Sequence, residues 1–561
     1  MFYKNFRNAT YAPAQYLRDT SIDELKAAIE KVGKYVKIDK IYLETYRNVW
    51  VEREKMEAVK KLFADAGFQI SGGITTVEKG RLMGSMCYTN PETRKKLGDI
   101  AAYTAELFDE IMIDDFYFTN CRCEACIEAK GDREWAEFRL ALMKDVSENI
   151  VMKRAKEANP NAHVIIKFPN WYESFPSSGY NLEHEPDIFD SIYTGTETRD
   201  PNYTHQNLQR YLSYFLPRYF ERIKPGLNGG GWFDLFECDL DDYIQQAYLT
   251  LFAKCRENML FCFPLMVRFP SVYMAAAGAV YDDADPIIGQ LGEPVGVACY
   301  RPFHAQGERH LYDYLGMLGI PLDPYPSYPA EAQTVILTES AAWDGEIVSK
   351  IKKSLINGSR VFITSGLYSK LSDKGIRGIL PLEVTDKCIT SDTFSVSGFG
   401  KNFEGSAKTA NPITMPRIAY STNDFWVCSA ALTPHASHPV LLCGSYGKGW
   451  LYVLNIPNIQ ADLYNLPAEA LSQLRGEMNL PVTLECGSRV GLFLYDNDTF
   501  ILQSFKDFPE KVRFRIGRED VSIVPLTGVQ AEKTRSAQGE SVFEAYLLPG
   551  WYAAFKIQPR T

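Results

Sequence analysis

No stretch of this 561-residue chain approaches the ~18 consecutive apolar residues that a membrane-spanning helix needs. The opening segment MFYKNFRNATYAPAQYL also lacks the apolar centre of a secretory signal, so the expected location is the cytoplasm, with no membrane partner. Excess positive charge is missing too. The 60 Lys and Arg face 70 Asp and Glu, a formal net charge of −10, and no basic patch marks a nucleic-acid binder. Cysteine is scarce, 12 residues, too few to staple a chain of this size through disulfides. Histidine is scarcer, at seven, and His163, His184 and His205 show no ligand-like pairing, which leaves each as a hydrogen-bonded surface or core side chain. The glycines of NGGGW (228–232) lack the spacing and the following helix of a phosphate loop, so no nucleotide site is expected.

Aromatic residues are plentiful: 33 Tyr, 32 Phe and 8 Trp. Flat rings stack on the apolar faces of pyranosides, and they also fill cores, so composition alone does not choose between these uses. A chain of this length exceeds one hydrophobic core, and two to four domains are expected. Over the first half, short apolar runs alternate with helical stretches, the pattern of βα units. Eight candidate strands can be counted, at 8–16, 40–47, 68–77, 110–118, 163–172, 190–199, 227–237 and 258–267. Helical spacing is plain between them, as in SIDELKAAIEKVGKYV and REWAEFRLALMKDVSENIVMKRAKEA. Eight such units fit a closed (β/α)8 barrel over residues 1–283 better than an open sheet. The runs PVGVACYRP, QTVILTES, SRVFITSG and GWLYVLNIP, three of them separated by helix-like stretches, suggest a flavodoxin-like α/β domain over 284–475. Short alternating strands without helices follow, and a small β-sandwich is expected over 476–561.

Polar residues at the carboxyl ends of barrel strands face the active-site mouth. Those ends supply Glu44 and Arg47 from the second strand, Asp114 and Asp115 from the fourth, and Lys167 and Asn170 from the fifth. The sixth adds Glu197 and Arg199, and the seventh Asp234 and Glu237, with Trp171, Tyr193 and Trp232 interleaved. Carboxylates from different strands converging among aromatics suit glycoside hydrolysis. One group protonates the leaving oxygen, and another stabilises or attacks the oxocarbenium-like carbon. Asp114-Asp115 is the sharpest of these features, because neighbouring carboxylates split their pKa values and leave one able to donate a proton. An Asx turn at the strand end is the alternative reading. A second signal is the cysteine set. Cys121, Cys123 and Cys126 form CxCxxC, and Cys87 in GSMCYTNPETR is the best fourth ligand for a structural Zn2+.

These features resemble the family 42 glycoside hydrolases, the β-galactosidases of clan A. The resemblance rests on the domain order over essentially the whole chain, on MCYTNPETR (86–94) after the third strand, and on Asp114-Asp115-Phe116 followed by the CxCxxC cysteines. It implies a catalytic barrel, a second domain similar to an amidotransferase that has lost its catalytic residues, and a small β-domain. Where the family has Asn-Glu, this chain has Asp-Asp. The resemblance therefore makes Asp115 the acid/base and sets Asp114 beside the sugar's 2-substituent, where a carboxylate could accept from an acetamido N–H. It makes Asp234 or Glu237 the nucleophile. It further implies a homo-oligomer, trimer or dimer, because the second domain mediates such contacts in the family.

The expected function is an exo-acting, retaining glycosidase on small glycosides, β-galactosidase-like or β-N-acetylhexosaminidase-like, with no organic cofactor. Glu44, Arg47, Lys167, Asn170, Trp171, Tyr193, Arg199 and Trp232 would bind the sugar. A second reading resembles the retaining α-glycosidases, with Asp115 as nucleophile and Glu197 as acid/base. A third is a non-catalytic carbohydrate-binding barrel.

Overall fold

The computed structural model describes residues 2–199, 208–398, 401–537 and 539–559. They fall into two compact units, Met1–Gly289 and Gln290–Thr561.

The first unit is a closed parallel barrel of eight strands in sequence order. They are β1 (Arg7–Ala12), β2 (Lys40–Arg47), β3 (Gln69–Thr75), β4 (Glu110–Ile113), β5 (His163–Phe168), β6 (Ser191–Gly195), β7 (Asn228–Asp234) and β8 (Glu257–Phe261). Closure is made by β1 against β8, where Ala9 pairs with Met259. Each run expected to be a strand overlaps one of these, and all but the second are cut short at the carboxyl end, where the chain leaves the ladder for the mouth. The first long helix, Ile22–Val32, begins on a reciprocal cap. Ser21 accepts from the Glu24 N–H, and the Glu24 carboxylate accepts from the Ser21 N–H. The long helical run before β5 forms as Trp135–Val146, a π-helical turn at Ser147–Met152, and Lys153–Ala158.

The barrel interior is side chains rather than a channel. Tyr11, Tyr42, Met112, Ile165, Tyr193, Trp232 and Met259 pack together there. The glycine run 229–231 has a packing reason, because a Cβ at Gly230 or Gly231 would run into Glu257, Tyr193 or Thr250. The last barrel helix, Ser271–Ile288, runs through the boundary expected at residue 284, and the units divide after Gly289 instead.

The second unit carries a sheet with five parallel strands in the order Leu322–Tyr325, Val297–Tyr300, Thr334–Leu337, Arg360–Thr364 and Gly449–Leu454. Numbered along the chain this is 2-1-3-4-5, the flavodoxin order. Between the fourth and fifth strands the chain inserts four antiparallel strands, Leu382–Gly398, Lys401–Tyr420, Trp426–Leu432 and Ser437–Tyr446, which extend the same sheet. Two further antiparallel sheets, of four and five strands, share one apolar core that includes Val482, Leu492, Phe514, Phe543 and Phe555. This is a β-sandwich-like region. Its five-stranded sheet recruits Pro294-Val295 from the start of the unit, pairing Val295 with Leu494. No helix among the described residues is long and apolar enough to cross a membrane.

Candidate active site

The carboxyl ends of the barrel strands surround a cavity of about 650 Å3 lined by Arg47, Asp114, Asp115, Lys167, Glu197, Arg199, Trp232, Asp234 and Glu237. The loop after β1 and the segment after β8 complete its wall with Tyr16, Phe261 and Arg268.

One half of the site is built on Glu44 and Asp114. Glu44 is buried beneath the cavity and accepts from the Tyr11 hydroxyl at 2.8 Å, the Ala14 N–H at 2.6 Å and Arg47 Nε at 3.0 Å. Arg47 reaches on to Asp114 Oδ2 at 2.7 Å, and Thr75 donates to the same oxygen at 3.0 Å. The other oxygen of Asp114 accepts from the Asp115 N–H at 2.8 Å. Burial alone would raise the Asp114 pKa, but Arg47, Lys167 and that N–H overcome burial and hold it below the usual carboxylate range. Asp114 is thus a fixed anion, held in place by three donors.

The other half is organised by Lys167, whose side chain is 1% exposed. Its Nζ stands 2.7 Å from Asp115 Oδ2, 3.1 Å from Glu197 Oε1 and 3.9 Å from Asp114 Oδ1. It also lies 3.9 Å from the centre of the Trp232 ring, and Trp232 stacks on Phe261. The second Glu197 oxygen is buried without a hydrogen-bond partner among the described residues. Gly195 makes room for this carboxylate, since a Cβ there would lie 2.6 Å from Glu197 Oε2 and 2.9 Å from the Asn170 nitrogen. Across the cavity Asp234 accepts from Arg199 at 3.1 Å and from the Phe236 N–H at 3.0 Å.

Five carboxyl groups, Glu44, Asp114, Asp115, Glu197 and Asp234, therefore share three cations, Arg47, Lys167 and Arg199. So unbalanced a set retains protons near neutrality. Burial pushes Asp115 up to about 7 against the pull of Lys167, with Asp114 and Glu197 adding to the rise. Burial also pushes Asp234 up to about 7, against Arg199 and with Glu197 adding. Of these two groups, Asp115 stands just past the end of β4 and Asp234 at the end of β7.

Several expected contacts lie elsewhere. Tyr193 points into the barrel interior and donates to Glu257 at 3.2 Å. Asn170 donates to the Glu197 carbonyl at 2.6 Å and so shapes the loop rather than the cavity wall. Trp171 packs on Phe118 and Tyr180. Glu237 lines the rim, 47% exposed and 3.8 Å from Arg199. Tyr16, Phe236, Phe261, Cys262 and Arg268 also line the cavity, and the only sequence signal for them is their place at the end of β8 or just after β1, β7 and β8. His163 bonds Ser191 at 2.8 Å, and His205 lies outside the described residues.

Beside β4 the sulfurs of Cys87, Cys121, Cys123 and Cys126 all lie within 4.8 Å of one another. The Cys87–Cys123, Cys87–Cys126 and Cys123–Cys126 separations are 3.7, 3.6 and 3.6 Å. A tetrahedral ion with Zn–S bonds of about 2.3 Å needs sulfurs roughly 3.8 Å apart, so this all-thiol set can hold a metal. Thr89 sits 2.8 Å from the Cys126 sulfur and Arg81 3.6 Å from that of Cys121, as outer donors to thiolates would.

A parallel barrel whose mouth gathers buried carboxyls and cations is the setting of a glycoside hydrolase. Residues 1–276 match the family model of a probable glycosyl hydrolase catalytic domain, and residues 481–557 that of a probable glycosyl hydrolase C-terminal domain. Residues 292–459 match the second domain of the uncharacterized protein SSO3021. The catalytic and C-terminal matches make the chain a glycoside hydrolase. SSO3021 of Saccharolobus solfataricus is itself 25% identical over 513 residues, covering 81% of this chain and 82% of that protein. Among solved structures, the β-galactosidase of Rahnella sp. R3 superposes with a TM-score of 0.62 at 12% identity, covering 98% of both chains. The β-galactosidase of Bacillus circulans sp. alkalophilus gives 0.63 at 11%, and α-L-fucosidase isoenzyme 2 of Paenibacillus thiaminolyticus 0.65 at 12%, each over 100% of both chains. At such identities the likeness is one of fold.

Proposed function

We infer that this chain is an exo-acting, retaining glycosidase of small glycosides, with Asp115 as acid/base and Asp234 as nucleophile. The observation that carries the reading is that Asp115 and Asp234, of all the cavity carboxyls, are the pair pushed up to about 7, one just past the end of β4 and one at the end of β7. In the first step Asp115 gives its proton to the glycosidic oxygen as the C1–O bond breaks. An Asp234 oxygen, ionised with the help of Arg199, bonds to C1 and forms a glycosyl ester. Water then attacks C1, Asp115 takes the water's proton, and the sugar leaves with Asp234 restored as a carboxylate. Lys167 supports the acid/base cycle by stabilising Asp115 in its anionic phase, and Trp232, 2% exposed between Lys167 and Phe261, fixes the ammonium rather than offering a free face to the sugar.

Asp234 suits the nucleophile role better than Glu237, whose rim position leaves it half in solvent. The three donors on Asp114 favour a sugar with a 2-hydroxyl over one with an acetamido group, because this anion is already engaged. The thiol set is read as a structural Zn2+ site held by Cys87, Cys121, Cys123 and Cys126, where the ion would tie the loop after β3 to the loop after β4. A cytoplasmic homo-oligomer, trimer or dimer, completes the reading by resemblance.

A second reading takes Asp115 as nucleophile and Glu197 as acid/base. The ammonium of Lys167 2.7 Å from Asp115 and the unpartnered oxygen of Glu197 favour it. The test is hydrolysis of a panel of aryl α- and β-glycosides with the product anomer followed by NMR. Release of the β-anomer from a β-glycoside supports the first reading. Activity confined to α-glycosides supports the second, and inversion removes both.

A further inference from the structure

Away from the barrel, the parallel sheet of the second unit has a crevice of its own, about 610 Å3, lined by Gln306, Gly307, Glu339, Trp343, Lys370 and Lys374. Its place in the topology is telling. Val297–Tyr300 and Thr334–Leu337 are neighbours in the sheet, but the chain leaves the first toward one edge and the second toward the other. Open α/β sheets bind ligands in the crevice that such divergence opens at the carboxyl ends of the strands. Gln306 and Gly307 follow the first of these strands, and Glu339 and Trp343 the second. Lys370 and Lys374 follow the next strand, Arg360–Thr364.

The crevice is built, not incidental. Glu308 accepts from the Glu339 N–H at 2.7 Å and the Thr364 hydroxyl at 2.7 Å, which ties the three loops together. Gly366 lacks the Cβ that would collide with the Glu308 carboxylate. Trp343 is 58% exposed, a costly place for a large ring, yet its indole N–H donates to the Gln306 carbonyl at 2.9 Å, so its orientation is set. Beside it Lys370 pairs with Glu339 at 3.2 Å. Among the described residues the side chains of Gln306 and Lys374 make no hydrogen bond or ion pair.

We propose that this crevice is a second saccharide site, taking a neutral pyranoside whose apolar face lies on Trp343. Its hydroxyls would bond to Gln306, Lys374 and the Lys370–Glu339 pair. A pinned, exposed ring surrounded by both donors and acceptors matches a sugar. A phosphate or sulfate fits less well, because Glu339 neutralises one of the two lysines. Such a site would hold sugar on the enzyme without taking part in bond cleavage.

The test uses the full-length protein and titration calorimetry with the methyl α- and β-pyranosides of galactose, glucose, mannose and fucose. The expected result is binding of at least one of them that weakens tenfold or more in Trp343→Ala and is largely kept in Trp343→Tyr. The rate of aryl-glycoside hydrolysis should stay within about twofold of the parent in both, since Trp343 is outside the catalytic cavity. An unchanged melting temperature in both variants rules out loss of fold as the cause. The proposal is overturned if no sugar of the panel shows Trp343-dependent binding, or if inorganic sulfate displaces the sugar. It is also overturned if Trp343→Ala alters the oligomeric mass in light scattering and leaves sugar binding intact, since the crevice is then an interface between copies. Absence of all glycosidase activity would remove the functional reading above but not the Trp343-dependent binding.

Discussion

Lys167 Nζ lies 2.7 Å from Asp115 Oδ2 and is the main opponent of the burial that keeps a proton on Asp115. Replacing Lys167 with Met removes the cation that opposes burial, so the Asp115 pKa rises further above 7. The expected outcome is a fall in kcat of about 10²-fold or more. The limb of the kcat/KM profile that reports loss of the acidic proton should move to higher pH. A pH profile with its limbs unmoved would show that Lys167 does not act on Asp115.

Asp234 and Glu237 are separated by burial rather than by residue type. Asp234→Asn is expected to cost about 10⁴-fold or more in kcat, the scale seen when a nucleophile is removed. Glu237→Gln, at the half-exposed rim, should stay within a few-fold of the parent. Steady-state kinetics on one aryl glycoside decide the matter, and the reverse order of losses would move the nucleophile to Glu237.

Glu185 offers a test of stability rather than rate. It is fully buried behind the site, accepting from the Asn181 N–H and the Ser147 hydroxyl, and burial pushes it up to about 8. An exposed glutamate titrates near ~4.3, so between that pH and about 8 the folded protein binds the extra proton. Stability contributed by the neutral carboxyl is therefore present at low pH and lost as pH rises through this window, on the order of a few kcal/mol. Glu185→Gln is expected to flatten that decline and to exceed the parent in melting temperature at pH 9. An equal slope in both proteins would mean that Glu185 is ionised in the fold.

The thiol set calls for metal analysis. Protein purified without added zinc is expected to carry about one equivalent. Chelation, or Cys126→Ser, should lower the melting temperature by several degrees because the loops after β3 and β4 lose their tie. A metal-free protein of unchanged stability with four alkylatable thiols would exclude the site.

The barrel was legible because a βα repeat writes two periods into the chain, and each strand end carries a polar residue that cannot remain in the ladder. Asp114, Asp115, Lys167, Glu197, Arg199 and Asp234 were found that way. Direction within a strand was harder to read. Tyr193 lies on β6 among apolar neighbours, and nothing in that run tells whether its ring faces the mouth or the packed interior where Glu257 receives it. Tyr16 and Arg268 come from short helices after β1 and β8, and Phe236 from the turn after β7, so only the closed barrel brings them to the cavity. In the second unit, Leu322–Tyr325 escaped notice because it is four residues long and contains Pro324. The first inserted strand, which contains CITSDTFSVSG, is too polar to resemble a buried strand. Sheet extension there depends on cross-strand pairing such as Phe394 with Ala431, which no local pattern encodes.

Proton donation by Asp115 is decided by assaying Asp115→Asn on two glycosides of one sugar. One substrate carries a dinitrophenyl leaving group that departs without a proton, and the other an alkyl or sugar leaving group that needs one. If Asp115 is the donor, the variant loses about 10²–10⁴-fold on the second substrate and much less on the first, and azide restores turnover. Equal losses on both substrates, with no rescue by azide, would contradict proton donation and assign Asp115 the nucleophile's role.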